Sequence, residues 1–130
     1  MKISTRGRYA LIIMINIALS ENTISLKDIA AKENLPIKYL EKIMSLLVKA
    51  QLVKSIRGKD GGYTLVKDAS EYSIGEILRA SEGDLKSKAC DTDNCEKQNT
   101  CPTVKFFDGL YKEINEYVDK RYLSDLIKEV

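Results

Sequence analysis

The sequence predicts a mainly α-helical fold that carries one β-hairpin. Apolar residues recur at helical spacing along several stretches, most regularly in residues 36–50 and 102–120. Two β-rich runs, at 52–57 and 63–66, flank the glycine-rich stretch 58–62, and this pattern predicts a hairpin. Two helices, a turn, a third helix and a hairpin follow one another in the order of a winged helix-turn-helix.

The first helix is predicted to run from Ser4 or Thr5, either of which can cap it, to about Leu19. Its apolar run follows basic residues and therefore loosely resembles a secretion signal. The run, residues 9–19, is shorter than the roughly 20 apolar residues that span a bilayer, and Asn16 interrupts it. We therefore expect a buried helix, a cytoplasmic protein and no membrane partner.

A short second helix and a turn precede the third helix. Ser25 followed by Asp28 has the form of a capping box and opens a helix that continues through Lys32. Residues 33–35 form the turn, and Pro36 suits the first turn of the next helix.

The third helix has an apolar face and a basic face. The apolar face consists of Leu40, Ile43, Leu47 and Ala50, widened by Met44 and Val48. The basic face consists of Lys38, Lys42, Ser45 and Lys49. DNA carries closely spaced negative charge, and lysines that neutralise it release counterions, so such a helix is suited to bind DNA. Alone, the basic row could also be an ordinary solvated face, but the helix order and the hairpin favour DNA.

The distribution of charge supports the same interpretation. Residues 1–66 hold eleven Lys and Arg against five Asp and Glu, whereas residues 67–130 hold ten against fourteen. A basic first half indicates a polyanionic partner. Side chains near the start of the third helix are best placed for base edges and phosphates, namely Lys38, Tyr39, Glu41 and Lys42. Arg57 and Lys59, at the hairpin tip, could enter a minor groove or hold a phosphate.

Two further helices and a short terminal one follow the hairpin. Ser73 and Glu76 form a capping box that opens a helix ending at Gly83. Pro102 starts a helix of about 19 residues, roughly 28 Å long. Its main apolar row is Val104, Phe107, Tyr111, Ile114 and Val118, supplemented by Phe106, Leu110 and Tyr117. So long an apolar helix predicts pairing with its copy in a second subunit. Ser124 is expected to cap a last helix over 125–130.

These elements divide the chain into three predicted parts. Residues 1–83 form the winged helix-turn-helix DNA-binding domain, and residues 84–101 form a polar cysteine loop that binds a metal cluster. Residues 102–130 contain the dimerisation helix and the C-terminal helix.

The cysteine loop holds all three cysteines of the chain, Cys90, Cys95 and Cys101, and the chain has no histidine. Their C-x4-C-x5-C spacing fits neither common zinc sites nor common ferredoxin motifs. Three thiolates could hold an iron–sulfur cluster with a different fourth ligand, or they could be free thiols or a redox pair. An odd number of cysteines also argues against a secreted disulfide framework.

Catalytic function is not expected. Without histidine, the usual general base near neutral pH is absent. The stretch 58–62 matches neither a dinucleotide fingerprint nor a P-loop. We therefore predict that the protein is not an enzyme.

Several motifs together carry a family resemblance that covers essentially the whole chain. They are STRGRYA at 4–10, YLE at 39–41, and VKSIRG at 53–58 with GGY at 61–63. With these motifs the chain resembles the IscR-like winged-helix repressors, whose members include the NsrR and CymR types. The resemblance implies a dimer joined through the long helix and a near-palindromic operator of double-stranded DNA. The candidate DNA-contacting residues are Thr5, Arg6, Arg8, Tyr9, Ser25, Lys38, Tyr39, Glu41, Lys42, Arg57, Gly58 and Lys59.

The resemblance also implies that Cys90, Cys95 and Cys101 ligate an iron–sulfur cluster, usually 2Fe–2S, in a regulator of cluster-assembly genes. Glu41 matches a glutamate that helps to select between operator classes. The chain departs from the family pattern in its first cysteine interval, which is one residue shorter, and at Val104, which replaces a ligating histidine. An aspartate that ligates in NsrR-type members is matched by Arg8. The fourth ligand therefore stays open among Asp91, Asp93, Glu96, Asp108, an external thiol and water, and a weaker ligand would make the cluster more labile or favour a 4Fe–4S form.

We therefore predict a homodimeric transcriptional regulator that senses iron–sulfur cluster or redox status. One alternative is a cluster-free repressor controlled by thiol oxidation or by a partner enzyme, as in CymR-like members. Another is a small cluster carrier or interaction module that does not bind DNA.

Overall fold

The computed structural model describes residues 3–85, 96 and 100–130. The helices and strands are α1 Thr5–Leu19, α2 Leu26–Glu33, α3 Ile37–Lys49, β1 Val53–Ile56, β2 Gly62–Leu65, α4 Ile74–Glu82, α5 Pro102–Asp119 and α6 Leu123–Ile127. A short 3₁₀ helix at Ala69–Glu71 precedes α4. The two strands pair antiparallel. This arrangement confirms the predicted mainly α fold with one hairpin and a long C-terminal helix.

Serine side chains start three of the helices. The hydroxyls of Ser4, Ser25 and Ser73 each accept a hydrogen bond from a backbone N–H two or three residues later, at 3.1 to 3.2 Å. These bonds satisfy donors that have no partner within the helix. The predicted starts of α1, α2 and α4 are confirmed, with Ser4 rather than Thr5 as the cap of α1.

The last helix differs from its prediction. It spans Leu123–Ile127 instead of 125–130, and Ser124 lies inside it rather than capping it. The Asp125 carboxylate accepts a hydrogen bond from the backbone N–H of Tyr122 at 2.9 Å, which fixes the chain just before the helix. The helix starts earlier than predicted, at Leu123, whose backbone N–H donates to the Tyr72 carbonyl at 2.9 Å.

One core joins most of the elements. It contains Ala10, Ile13, Met14 and Ile17 of α1 together with Ile29, Leu40, Ile43, Leu47, Val53, Tyr72, Ile77 and Leu123. Leu123 lies in α6, so the C-terminal region predicted for dimerisation also completes the core of the winged domain. On α3, Val48 and Ala50 are exposed, contrary to their predicted place on the apolar face.

The first helix is buried as expected. Asn16, a polar residue in its apolar run, is also buried, and its Nδ2 donates to the Ile12 carbonyl and to Glu33 Oε1, each at 2.8 Å. The bond to Glu33 connects α1 to the end of α2. Within residues 3–85, 96 and 100–130, no helix is long and apolar enough to cross a membrane.

The hairpin is attached to the connection between α1 and α2. The backbone N–H of Tyr63 donates to the Ile24 carbonyl at 2.8 Å, and the N–H of Ile24 donates back at 3.2 Å. A side chain at Gly62, where φ is +157°, would come within 2.7 Å of the Ile24 carbonyl oxygen. Glycine is therefore required for this close approach, and the wing cannot swing freely from its base.

Tyr72 fixes the other side of the wing base. Its ring is fully buried, and its hydroxyl donates to the Leu52 carbonyl at 2.7 Å. The same hydroxyl accepts hydrogen bonds from the backbone N–H groups of Val66 at 2.9 Å and Lys67 at 3.2 Å. One side chain thus joins the start of β1 to the end of β2.

We expect Tyr72→Phe to lower the free energy of unfolding by about 2–3 kcal/mol, because buried backbone groups lose their partner. Urea denaturation would measure the loss. Ser55→Ala, which removes a hydroxyl from an exposed position of β1, is the control and should change stability by less than about 0.5 kcal/mol. An unchanged unfolding free energy for Tyr72→Phe would show that the wing base does not depend on this hydroxyl.

Candidate nucleic-acid interface and cysteine site

The outer face of α3 is exposed and basic. Its inner face buries Leu40, Ile43, Met44 and Leu47 in the core. Lys38, Lys42, Ser45 and Lys49 lie on the exposed side, as the spacing predicts. The helix therefore presents a row of ammonium groups to solvent while the core holds its orientation.

An aromatic contact brings the start of α1 to the start of α3. The rings of Tyr9 and Tyr39 meet edge to face, with centroids 5.5 Å apart and planes at 83°. Both rings are half-buried and pack against the core. Because Arg8 and Lys38 are exposed neighbours of these rings, the predicted contacts of α1 and α3 share one surface.

The hairpin lies beside this surface. A groove between it and α3 is lined by Glu41, Ser45, Val48, Ser55 and Tyr63, among others. This position explains why Val48 is outside the core.

At the wing tip, Arg57 and Lys59 are exposed, as is Gly58. Gly58 has φ of +116°, and its carbonyl accepts from the N–H of Gly61 at 3.0 Å, closing a tight turn. The Thr23 hydroxyl donates to the Asp60 carbonyl at 2.6 Å and fixes the turn to the body of the domain. The two cations are therefore held by an ordered turn.

A second, polar groove lies between α2 and the hairpin. It includes Ser25, a predicted contact, together with Thr23, Lys54 and Thr64. Lys54 is a cation that the sequence interpretation did not select. Strand alternation could have identified it, since Lys54 pairs with Thr64 across the sheet.

Cys101 is the cysteine that the structure describes. It is half-buried and is the N-cap of α5, and its Sγ lies 2.9 Å from Thr103 Oγ1. Hydrogen bonds from the Thr103 hydroxyl and backbone N–H stabilise the thiolate and lower the pKa of Cys101. The thiolate form is the one that binds metals and reacts with oxidants.

The remaining candidate ligands are only partly described. Cys90, Cys95, Asp91 and Asp93 lie outside the described residues. Glu96 and Asp108 are exposed, whereas the Val104 side chain is buried and offers no donor atom. In the part of the chain that the structure describes, no three His, Cys, Asp or Glu side chains are grouped as a metal site.

The described ends of the cysteine loop are attached to α4 and α5. Leu85 is buried with Leu78 and Val118. The Tyr111 hydroxyl donates to Asp84 Oδ1 at 2.6 Å, and this carboxylate raises the pKa of Tyr111. Cys101 opens α5 itself. Both ends therefore meet the same helix.

The two faces of α5 differ within the single chain. In the row predicted for dimerisation, Val104 and Val118 are buried and Phe107 is half-buried. Tyr111 and Ile114 pack, with Val118, on the apolar face of α4. Much of the predicted row therefore covers the chain's own helix. The apolar residues that α5 leaves exposed are Phe106 at 66%, Leu110 at 41% and Tyr117 at 59%, which we call the outer stripe.

A charged network fixes α5 on α4 beside these contacts. Arg79 of α4 donates to Asp119 at 2.6 Å and also to the side-chain oxygen of Asn115. Asn115 in turn donates to the Tyr111 carbonyl at 2.9 Å. The position of α5 on the winged domain is therefore determined by polar as well as apolar contacts.

Comparison with known proteins places the chain among transcriptional regulators. Residues 3–129 match the Rrf2 family, described as iron-dependent transcriptional regulators. The transcriptional regulator IscR of Vibrio campbellii is 33% identical over 132 residues, which cover 99% of this chain and 79% of IscR.

Solved structures agree. CymR, the global cysteine regulator of B. subtilis, is 36% identical with a TM-score of 0.84, covering 100% of this chain and 98% of CymR. T. potens IscR is 34% identical with a TM-score of 0.81, covering 99% of this chain and 88% of IscR. These relatives are transcriptional regulators rather than enzymes, which confirms the expectation of a non-catalytic protein and the resemblance to IscR-like regulators.

Proposed function

Because the chain belongs to the Rrf2 family of transcriptional regulators, we propose that it is a homodimeric DNA-binding regulator that responds to iron–sulfur cluster or redox status. The observation that carries the proposal is the exposed basic row of α3 beside a cation-tipped hairpin, in a chain whose Cys101 opens α5. Cluster-assembly genes are its expected targets, as the resemblance to IscR implies.

The DNA-binding part of the proposal rests on placement. Phosphate contacts orient a protein on the duplex, while base-edge contacts in the major groove specify sequence. Lys42 and Lys49 are suited to the first role, and Tyr39 and Glu41, near the start of α3, are suited to the second. A dimer would present two such helices to the two halves of a near-palindromic operator.

The cluster part of the proposal rests on donor chemistry. Cys90, Cys95 and Cys101 would hold the cluster, and the lowered pKa of Cys101 suits a thiolate ligand. When bound, an iron–sulfur cluster would take the cysteine thiolates as iron ligands and would make the protein sensitive to oxygen or nitric oxide. Val104 cannot act as the fourth ligand, so this ligand differs from the IscR histidine, and both 2Fe–2S and 4Fe–4S forms are compatible with the three thiols.

Signal transmission follows from the position of Cys101. As the N-cap of α5, it shares its backbone with the first turn of the proposed dimer helix. A change in the bonding of its sulfur therefore acts on the end of that helix. We infer that this change at the end of α5 alters the angle between the two α3 helices of the dimer. The altered angle changes the affinity for DNA.

Replacing Cys101 by serine tests the proposal. Serine is a good N-cap, so α5 should stay intact while the soft thiolate ligand is lost. We expect anaerobically isolated wild-type protein to contain iron and to show visible and paramagnetic-resonance signals of a cluster, and Cys101→Ser to lose most of both. DNA binding is measured with a duplex selected by the anaerobic wild-type protein from a random-sequence pool. Equal iron content and equal affinity in the two proteins would contradict the proposal.

The similarity to CymR supports a second candidate function. In it, the chain is a cluster-free repressor controlled by oxidation of its thiols or by a partner enzyme of sulfur metabolism. The lowered pKa of Cys101 also favours this candidate, because a thiolate reacts readily with oxidants. A colourless, iron-free anaerobic preparation whose DNA affinity changes on exposure to air would support it over the first.

A further inference from the structure

One carboxylate at the end of α4 holds the start of α1. Glu82 Oε1 accepts hydrogen bonds from the backbone N–H of Ser4 at 2.9 Å, from the Ser4 hydroxyl at 2.5 Å and from the N–H of Gly7 at 2.7 Å. The Ser4 hydroxyl itself accepts from the N–H of Arg6 at 3.2 Å. Glu82 therefore binds, directly or through Ser4, three backbone donors at the start of α1.

The backbone of α1 is shaped for this contact. Gly7 is buried, and a side chain there would come within 2.7 Å of Glu82 Oε1 and 3.0 Å of its Cγ. A carboxylate is also favourable at a helix N-terminus, where unpaired N–H groups carry partial positive charge. The α1 helix contributes no acidic residue to its own first turn, so Glu82 supplies this charge from elsewhere in the chain.

The same carboxylate lies between two functional regions. On one side, Gly7 is flanked by Arg6 and Arg8, exposed candidate DNA contacts. On the other side, Glu82 precedes Asp84, which bonds Tyr111, by two residues. The N-terminal end of the cysteine loop and the DNA-facing end of α1 thus meet at one side chain.

We propose that Glu82 is a positioning residue that couples the cysteine loop to the DNA-facing end of α1. When the loop changes its bonding state, the end of α4 shifts, the bonds to Ser4 and Gly7 weaken, and the backbone that carries Arg6 and Arg8 is no longer held in place. The coupling rests on the proposed function, since it needs a loop that changes state and an α1 that contacts DNA. Through this coupling, a change in the cysteine loop affects DNA binding without acting through the dimer helix α5.

The test compares DNA affinity before and after air exposure of anaerobically isolated protein, a treatment that affects either a cluster or free thiols. The probe is the duplex selected by the wild-type protein, read by fluorescence anisotropy. In the wild type we expect the two states to differ by roughly 5- to 150-fold. In Glu82→Ala this ratio should fall to within about twofold of one, while Glu82→Gln should keep most of it because its carbonyl oxygen accepts the same donors.

Glu76→Ala is the matched control, since it removes a carboxylate from the same helix that pairs with Lys67 instead of α1. It should keep the wild-type ratio. Amide exchange gives a readout without DNA: the Gly7 N–H should be protected in the anaerobic wild type, lose protection on air exposure, and lack it in both states of Glu82→Ala.

The outcomes separate the two proposals. If wild-type affinity does not depend on air exposure, or no duplex is selected, the proposed function fails. If the wild type responds and Glu82→Ala responds equally, or if Glu82→Gln behaves like Glu82→Ala, the coupling through hydrogen bonds is overturned while the proposed function stands.

Discussion

Replacing Lys42 and Arg57 together by alanine is expected to weaken binding to the selected duplex by about 30- to 700-fold, at roughly 1–2 kcal/mol for each cation. Lys42 lies on the exposed row of α3, and Arg57 lies at the ordered tip of the wing, so they engage the duplex at separate places. If each contacts one phosphate, the slope of log affinity against log salt should become shallower by about 0.9 per contact. Anisotropy titrations at several salt concentrations measure both quantities.

The matched control removes two cations from exposed positions of the C-terminal region, Lys105 and Lys128. The net charge changes equally in both double variants, so general electrostatic attraction is lowered by the same amount. We expect the control to bind within about threefold of the wild type, because screening limits the effect of distant charges. Equal losses in the two double variants would mean that α3 and the wing are not the DNA-contacting surface.

The elements that the sequence predicted well are those specified by local contacts. The serine caps at 4, 25 and 73 act within three residues, and the glycines at 58 and 61 meet backbone requirements of the hairpin turn itself. The amphipathic pattern of α3 also sufficed, because its buried face meets a single core. In each case the determining interaction, or the periodicity that reports it, lies within one segment.

The elements that were wrong, missed or left open depend on contacts distant in sequence. Periodicity identified an apolar row on α5, but it could not tell whether α4 or a second subunit covers it. The contact between Glu82 and Ser4 joins residues 78 positions apart, and no local pattern predicts it. Similarly, the backbone N–H of Leu123 donates to the carbonyl of Tyr72, far away in sequence, and this bond fixes the start of α6 ahead of the expected serine cap.

For the candidate site, the sequence identified residue types better than their arrangement. The three thiols and the basic row of α3 follow from composition and spacing. The lowered pKa of Cys101 depends on Thr103 folding back at the first turn of α5, and the support of Tyr39 depends on Tyr9 from another helix. The structure is needed for both features. The pKa of Cys101 depends on where α5 begins, and the ring contact joins side chains from two separate helices.

The second large expected effect is on dimer formation, which depends on the outer stripe of α5. Phe106, Leu110 and Tyr117 are spaced by four and seven residues, so they lie along one side of a helix, as in a coiled-coil seam. Their side chains are exposed in the single subunit, whereas Ile114 and Val118 already pack on α4. We therefore infer that a second copy of α5 covers the outer stripe rather than the row predicted from the sequence.

The double variant Phe106→Asp and Leu110→Asp should raise the dimer dissociation constant by more than about 1,000-fold, since each buried aromatic or leucine side chain contributes roughly 1.5–3 kcal/mol and the interface would gain like charges. Sedimentation velocity measures the dissociation, and affinity for a two-half-site duplex should fall with it. Leu19→Asp with Val66→Asp is the matched control, because these side chains are 41% and 51% exposed and lie outside α5. That control should remain dimeric and folded. A dimer that survives both aspartates would show that the outer stripe is not the dimer interface.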